Sequence, residues 1–571
     1  MRRLTLIAAA ISLGACSTSQ NTPSEATGRT VPPVPEVAHE SRMEHDAQLV
    51  DTLPEPALQK HRALNAAPMR SAEAIAQPMT KPASPMVVMP EPADRERYQS
   101  LDENPVKLAA QEPVSTFSID VDTGAWSNTR RFINSGRLPP VDAVRVEEFI
   151  NYFPYDYQAD RSDHPFSVGT ELARTPWNGN NLLMRVAIKG KDVAKDSLPP
   201  ANLVFLVDVS GSMGSADKLP LLKSSLKLLV RQLRPQDRIA LVTYAGQAGI
   251  VLPSTPGNEH HKIMAAIDNL SSGGSTAGAT GIELAYRTAR EGFIDGGINR
   301  ILLSTDGDFN VGVTNFDQLK QMVERERKSG VSLSTLGFGT GNYNEQLMEQ
   351  IADAGDGAYS YIDTLMEGHK VLVNEMTSTL ATIAKDVKIQ VEFNPAVIRE
   401  YRLIGYENRQ LAREDFNNDK VDAGEIGAGH TVTAIYELTP VEAPGLITPL
   451  RYGSDPGPDQ HKANELAQVR LRYKAPGSDT STLIERIVQR DSTRPMAATS
   501  DDFRFATAIA GFGQLLRGGK YTGQWQLSDA RALAAGALGA DRFGYRGEAV
   551  RLMDLASALT PNRPEAQARL E

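Results

Sequence analysis

Residues 201–210 read Ala-Asn-Leu-Val-Phe-Leu-Val-Asp-Val-Ser, and no other stretch constrains the fold as tightly. Residues 203–207 are five consecutive apolar residues bounded by Pro199-Pro200 and Gly211. That pattern fits a strand buried on both faces of a parallel sheet. Asp208, Ser210 and Ser212 then leave the strand at i, i+2 and i+4 on a glycine-bearing turn, which can aim three oxygens at one point. Hard oxygens gathered at one point suit a small hard cation. Taken alone, Asp-x-Ser-x-Ser also fits an ordinary Ser/Gly loop at a strand end, so the surrounding periodicity has to decide.

From 201 to about 384 the chain alternates strand and helix patterns. Leu222, Leu226, Leu229 and Leu233 mark one helix face between Pro220 and Pro235. Strands are expected at 239–244, 249–252, 301–305, 331–336 and 358–362, and helices at 261–270, 281–290, 316–328 and 344–354. A last helix carries Leu365, Leu372, Met376, Leu380 and Ile383 on one face. Strands separated by helices of this length imply βαβ units, and so an α/β, doubly wound, mostly parallel sheet. Ligands of such sheets bind beyond the carboxyl ends of the strands.

Two more segments fall on that edge. Gly273-Gly274-Ser275-Thr276 offers a hydroxyl on a glycine turn, and Ser304-Thr305-Asp306-Gly307 ends a buried strand with a second carboxylate. Asp208, Ser210, Ser212, Thr276 and Asp306, in that order, resemble the metal-ion-dependent adhesion site (MIDAS) of the von Willebrand factor type A (VWA) family. The runs Gly337–Gly341 and Gly357–Tyr361 resemble the family's closing strands. The resemblance spans roughly 200–384. It implies that Ser210, Ser212 and Thr276 supply neutral oxygens while Asp208 and Asp306 act largely through bound water. Mg²⁺, with Mn²⁺ as the alternative, keeps waters readily in octahedral oxygen geometry. Few anions would touch it directly, leaving a coordination position for an Asp or Glu carboxylate of a partner. The flanking runs Ser118-Ile-Asp-Val-Asp-Thr-Gly124 and Asp502-Phe-Arg-Phe505 resemble companion regions of a bacterial cell-envelope subfamily.

The first residues read as an address. Arg2-Arg3 precede an apolar stretch of signal-peptide length, and Leu13-Gly14-Ala15-Cys16 looks like a lipobox that makes Cys16 the lipidated first residue of the mature protein. Ser17 rather than Asp follows, which resembles lipoproteins sent to an outer membrane, facing the periplasm or the surface. With the chain's one cysteine so used, a disulfide is excluded. Residues 17–112 are rich in proline and carry a single aromatic residue, Tyr98. That composition buries too little apolar surface to offset ordering entropy. As a coil of ~96 residues it would span roughly 50–60 Å. The expected organisation is therefore signal peptide 1–15, lipidated Cys16 and tether 16–112, N-terminal companion region 113–197, VWA domain 198–384 and C-terminal companion domain 385–571, strands then helices, with the helices over 503–516 and 530–559. The companion regions are expected to be mixed α+β.

Other chemistries fit less well. A net charge of −10 leaves no basic footprint for nucleic acid. Asp415, Asn417, Asp419 and Asp422 imitate a calcium loop, but Lys420 and Ile426 stand where Gly and Glu are needed, so a solvated acidic turn is preferred. Asp120 and Asp122 read as strand-end and turn residues. The nine histidines show no zinc spacing, and there is no G-x-S-x-G elbow. The expected function is a lipid-anchored, metal-dependent binding module for a protein or other acidic ligand, not an enzyme. The alternatives are a metal-dependent hydrolase, for which Asp308 is a candidate base, and an assembly or regulatory subunit of a larger envelope complex.

Overall fold

A computed structural model describes residues 95–158, 163–274, 278–307, 316–448 and 462–560. At its centre stands the six-stranded sheet expected from the alternation. Across the sheet the strands run Tyr359–Ile362, Ser332–Phe338, Ile298–Thr305, Ala201–Asp208, Arg238–Tyr244 and Ala248–Pro256. All neighbours are parallel except the last pair. Helices cover both faces. Leu203, Phe205 and Val207 join Leu222, Leu226 and Leu229 of helix Leu219–Val230 in one core. Val204 and Leu206 pack with Ile282, Ala285 and Tyr286 of helix Gly278–Glu291 in the other. A strand feeding two opposite cores must be apolar at every position, which is why residues 203–207 show no alternation.

The sheet is an insertion in a second structure. Phe166–Arg174 and Leu182–Gly190, which precede it, share a six-stranded sheet with Lys107–Leu108, Ile398–Ile404, Thr431–Pro440 and Thr493–Arg494. Val114–Ser118 pairs antiparallel with Thr382–Phe393, which also pairs with Glu465–Lys474. The regions before and after the inserted sheet thus interleave strands. Their shared core includes Phe117, Met184, Ile389, Tyr436 and Val469. A second core packs helices Gly124–Asn134, Val146–Asn151, Asp501–Leu516 and Tyr545–Leu559 together around Trp126, Phe149 and Phe512. The insertion leaves and returns at one place: a Cβ on Gly190 would stand 3.0 Å from Ile383 Cδ1.

Three boundaries differ from expectation. Residues 95–112, assigned to the tether by composition, are held on the folded body. Glu96 accepts from Arg131 Nη1 and Nη2 at 2.9 and 2.8 Å and from Gly341 N at 2.9 Å, and Lys107–Leu108 pairs with Tyr401 and Glu400. Two-residue pairings and one buried carboxylate leave little trace in composition. The last helix of the insertion is broken into Leu365–His369, a widened turn Lys370–Asn374 and Met376–Leu380, and Ile383 lies in the strand Thr382–Phe393. Gly427 allows the close approach at the helix end: a Cβ there would sit 1.6 Å from Ser378 O, and the Ile426–Gly427 strand pairs Thr382 and Ala384 directly after the helix. The helical stretch expected over 530–559 is two helices, Leu527–Ala535 and Tyr545–Leu559, parted by Gly536, Gly539 and Gly544. No helix among the described residues is long and apolar enough to cross a membrane.

Candidate metal centre

The order of the central strands reverses between Ala201–Asp208 and Ile298–Thr305, the first and fourth in the sheet by sequence. A doubly wound sheet opens a crevice at such a reversal, because the connections on either side lead away in opposite directions. Asp208 closes one of these strands, Asp306 follows the other, and both are fully buried. Asp208 Oδ1 accepts from Ser210 N at 2.8 Å, turning the chain so that Ser210 Oγ comes 3.1 Å from Ser212 Oγ. Asp208 Oδ2 accepts from Thr305 Oγ1 at 2.9 Å, and Thr305 Oγ1 accepts from Gly307 N at 3.1 Å. Gly307 has φ +83°, and a Cβ there would stand 2.6 Å from Asn344 N, so the turn after Asp306 requires glycine.

The third loop is tied to the first by backbone alone. Gly273 N donates to Val209 O at 2.7 Å, and Gly211 N donates to Gly274 O at 3.1 Å. Thr276 itself lies outside the described residues, as do Cys16 and Asp308. Of the five residues singled out in the sequence, the fold thus brings Asp208, Ser210, Ser212 and Asp306 to one sheet edge. It also anchors the loop that leads to Thr276.

Burial pushes the Asp208 carboxyl up to about 6, and the Asp306 charge adds to this, while hydrogen bonds from Ser210 and Thr305 pull it back. Lys218 answers part of the charge. Its ammonium donates to Asp306 Oδ2 at 3.0 Å and to Asn342 Oδ1 at 3.0 Å from a side chain 7% exposed. Two buried carboxylates and two convergent hydroxyls against one ammonium form an oxygen donor set in deficit of positive charge. That fits a hard divalent cation. Such a cation would supply a coordination position for an outside carboxylate, with Ser210 and Ser212 as neutral oxygens beside it. Sequence reasoning missed Lys218, Asn342 and Thr305. Lys218 lies just ahead of Pro220, where a helix start was expected, and its stem crosses Gly339 at φ +77°.

A second acidic group lies where the insertion meets its surroundings. Carboxylate oxygens of Asp120, Asp122 and Glu349 fall within 4.8 Å of one another, a grouping that could hold a metal ion. A guanidinium stands among them: Arg409 Nη2 is 3.2 Å from Asp120 Oδ1, 2.9 Å from Asp122 Oδ2 and 3.6 Å from Glu349 Oε1. Arg409 Nη1 reaches Asp353 at 2.8 Å. Asp122 Oδ1 also accepts from Tyr359 N at 2.7 Å, and Gly124 closes on the Tyr359 ring. The run from Ser118 to Gly124 therefore docks on the sheet's edge strand. The other flanking run is structural too: Asp502 pairs with Arg546, and Phe503 and Phe505 are fully buried. The stretch resembling a calcium loop is met by basic side chains. Lys388 Nζ donates to Asp415 O and Asn418 O, Lys474 to Asp419 O, and Arg327 to Asp422.

This sheet, with carboxylates and hydroxyls at its reversal, defines a VWA-domain protein. The family profile of the von Willebrand factor type A domain matches residues 202–375, one described as von Willebrand factor matches 92–185, and one described as Uncharacterized protein YfbK, C-terminal, matches 378–559. The chain is 51% identical over 472 residues to Uncharacterized protein YfbK of Escherichia coli, covering 81% of each chain. It belongs to that VWA family. It is also 26% identical over 305 residues to Uncharacterized protein sll0103 of Synechocystis, covering 53% of this chain and 68% of that one. Among solved structures, von Willebrand factor type A from Catenulispora acidiphila is similar at 17% identity and TM-score 0.39, covering 69% of this chain and 91% of that one. VWA domains are commonly metal-dependent protein-interaction modules.

Proposed function

We propose that this chain is a lipid-anchored binding module of the bacterial cell envelope. In this reading Cys16 carries the lipid, the proline-rich segment up to about residue 94 is the tether, and the lipid sits in an outer membrane. The sheet edge holds Mg²⁺ or Mn²⁺ through Asp208, Ser210, Ser212, Thr276 and Asp306 and takes an Asp or Glu carboxylate from a protein or other acidic partner. One observation carries the reading: two fully buried carboxylates and the Ser210–Ser212 hydroxyl pair meet at the strand-order reversal.

The test is a pull-down from envelope extract with the full chain in detergent, in Mg²⁺ or EDTA, beside an Asp208→Ala/Ser210→Ala variant. Partners should be retained only by the unmodified chain in Mg²⁺. Equal retention in every condition refutes metal-dependent binding. Turnover of phosphoesters or peptides, lost in the variant, would establish a hydrolase instead. Mass spectrometry of the mature N-terminus checks the lipid at Cys16.

A further inference from the structure

Lys218 sits where a binding site for a divalent cation would least be expected to place a positive charge. Its ammonium is 3.0 Å from Asp306 Oδ2, the oxygen donor set's second carboxylate, and is held from the other side by Asn342 Oδ1. The stem is fixed as firmly. A Cβ on Gly339 would lie 2.2 Å from Lys218 Cε and 2.3 Å from Cγ, so glycine there leaves a channel for the methylenes. The loop carrying Gly339 and Asn342 is itself strapped down. Glu96 accepts from Gly341 N while Arg131 grips its carboxylate, and Arg95 N and Arg97 N donate to Gly341 O and Tyr343 O. The ammonium is thus a built part of the centre, not a surface charge that can swing away.

The charge count shows what it does. Taken at their formal charges, the two carboxylates Asp208 and Asp306 and the one ammonium of Lys218 leave this group with a single net negative charge. A divalent cation raises this to +1, whereas without Lys218 the loaded site would be neutral. In a buried site at low effective dielectric, one unit of charge changes affinities by an order of magnitude or more. A neutral loaded site would hold its metal well and attract a carboxylate poorly. A loaded site at +1 does the reverse.

We propose that Lys218 is a specificity-determining residue: it competes with the metal for Asp306, and it makes the loaded centre cationic so that an anionic ligand completes it. The inference rests on the metal-dependent reading above. Metal and carboxylate then bind cooperatively, each raising the affinity for the other by the same factor.

The experiment uses the full chain and Lys218→Met, which keeps the apolar stem, with Mn²⁺ as the metal and acetate as the carboxylate. Free Mn²⁺ is followed by electron paramagnetic resonance, and acetate binding by water-proton relaxation of the Mn²⁺-loaded protein. Lys218→Met should bind Mn²⁺ at least about tenfold more tightly and acetate at least about tenfold more weakly. Lys218→Gln, which keeps a hydrogen-bond donor for Asp306 without the charge, should show the same two shifts and stands in if the methionine variant does not fold. Lys218→Arg should restore the original order. Unchanged or weakened Mn²⁺ affinity in both neutral variants, with Mn²⁺ still lost in Asp208→Ala, overturns the role of Lys218 alone. Mn²⁺ binding that Asp208→Ala leaves intact, or that the unmodified chain lacks, overturns the metal reading and this inference with it.

Discussion

Replacing Arg409 with methionine removes a cation that four carboxylates share, and the size of the loss follows from their surroundings. Asp120 and Asp122 have side chains 1% and 3% exposed, 3.2 and 2.9 Å from the guanidinium. Removing one partner of a buried pair leaves the other charge uncompensated, which costs about 3–5 kcal/mol. Asp353 is 41% exposed, so solvent screens its share and it adds little. The carboxyls can escape part of the cost by taking up protons. Burial already holds Asp120 and Asp122 above the usual carboxylate range and Glu349 at about 7, and Arg409 pulls all three down. Without it they rise further. A carboxyl whose folded pKa lies above its unfolded value contributes stability that is present at low pH and is lost as pH rises through the folded pKa. The deficit of Arg409→Met should therefore be about 3–5 kcal/mol at pH 8 and well under half of that at pH 5. Urea unfolding followed by tryptophan fluorescence and circular dichroism measures it. All three tryptophans, Trp126, Trp177 and Trp525, lie outside the inserted sheet, so the two probes report different parts of the chain. A deficit below about 1 kcal/mol at pH 8, or one larger at pH 5 than at pH 8, would refute the reasoning. Midpoint recovery on adding Mg²⁺ or Ca²⁺ would show that the three carboxylates accept a metal once the guanidinium is gone.

Other substitutions probe the rest of the structure. Gly339→Ala combines a positive φ with a Cβ driven into the Lys218 stem, and should cost at least about 1–2 kcal/mol in urea unfolding while altering Mn²⁺ affinity. Phe117→Ala opens a cavity beneath Tyr406 and Tyr436 in the core shared by both flanking regions, and should cost about 3–5 kcal/mol by the same measurement. Burial lowers the His430 imidazole to about 4, with Lys370 and Lys189 adding to it. Its contribution to stability is therefore present above pH 6.5 and is lost as pH falls toward 4. The slope should flatten in His430→Gln, as read by thermal unfolding across that window.

The sequence was most legible where one element faces one environment. Residues 203–207 sit between two cores, so their unbroken apolar run named the central strand without ambiguity. The placement of Asp208 and Asp306 at or just past strand ends was legible from periodicity and the VWA resemblance singled them out, while the adjacency of their two strands at the reversal is supplied by the fold. Lys218 was not legible: its role depends on Gly339 and Asn342, more than a hundred residues away, and a lysine ahead of a helix has no local signature. Arg409 was hidden for the same reason, since its partners come from two other parts of the chain. The end of the helical stretch at Leu380 was obscured because its apolar spacing continues to Ile383, while the strand Ile426–Gly427 that pairs Thr382 and Ala384 comes from a later part of the chain.

The insertion also has a consequence for the order in which the strands can pair. Phe117 lies opposite Ile389 in the register of their two strands, and the chain between them includes the whole inserted sheet. As the chain emerges from a ribosome, Phe166–Arg174 and Leu182–Gly190 can pair with each other, but Val114–Ser118 must wait unpaired until residues 382–393 arrive. Loop closure over such a length is slow and leaves edges open to the wrong neighbours. The inserted domain, whose own strands pair within residues 201–362, can fold during that wait. Gly190 and Ile383 stand side by side in the finished fold, so an inserted domain that is already folded would turn a long closure into a short one. The domain that carries the proposed metal centre would then also be the splint on which the rest of the molecule assembles.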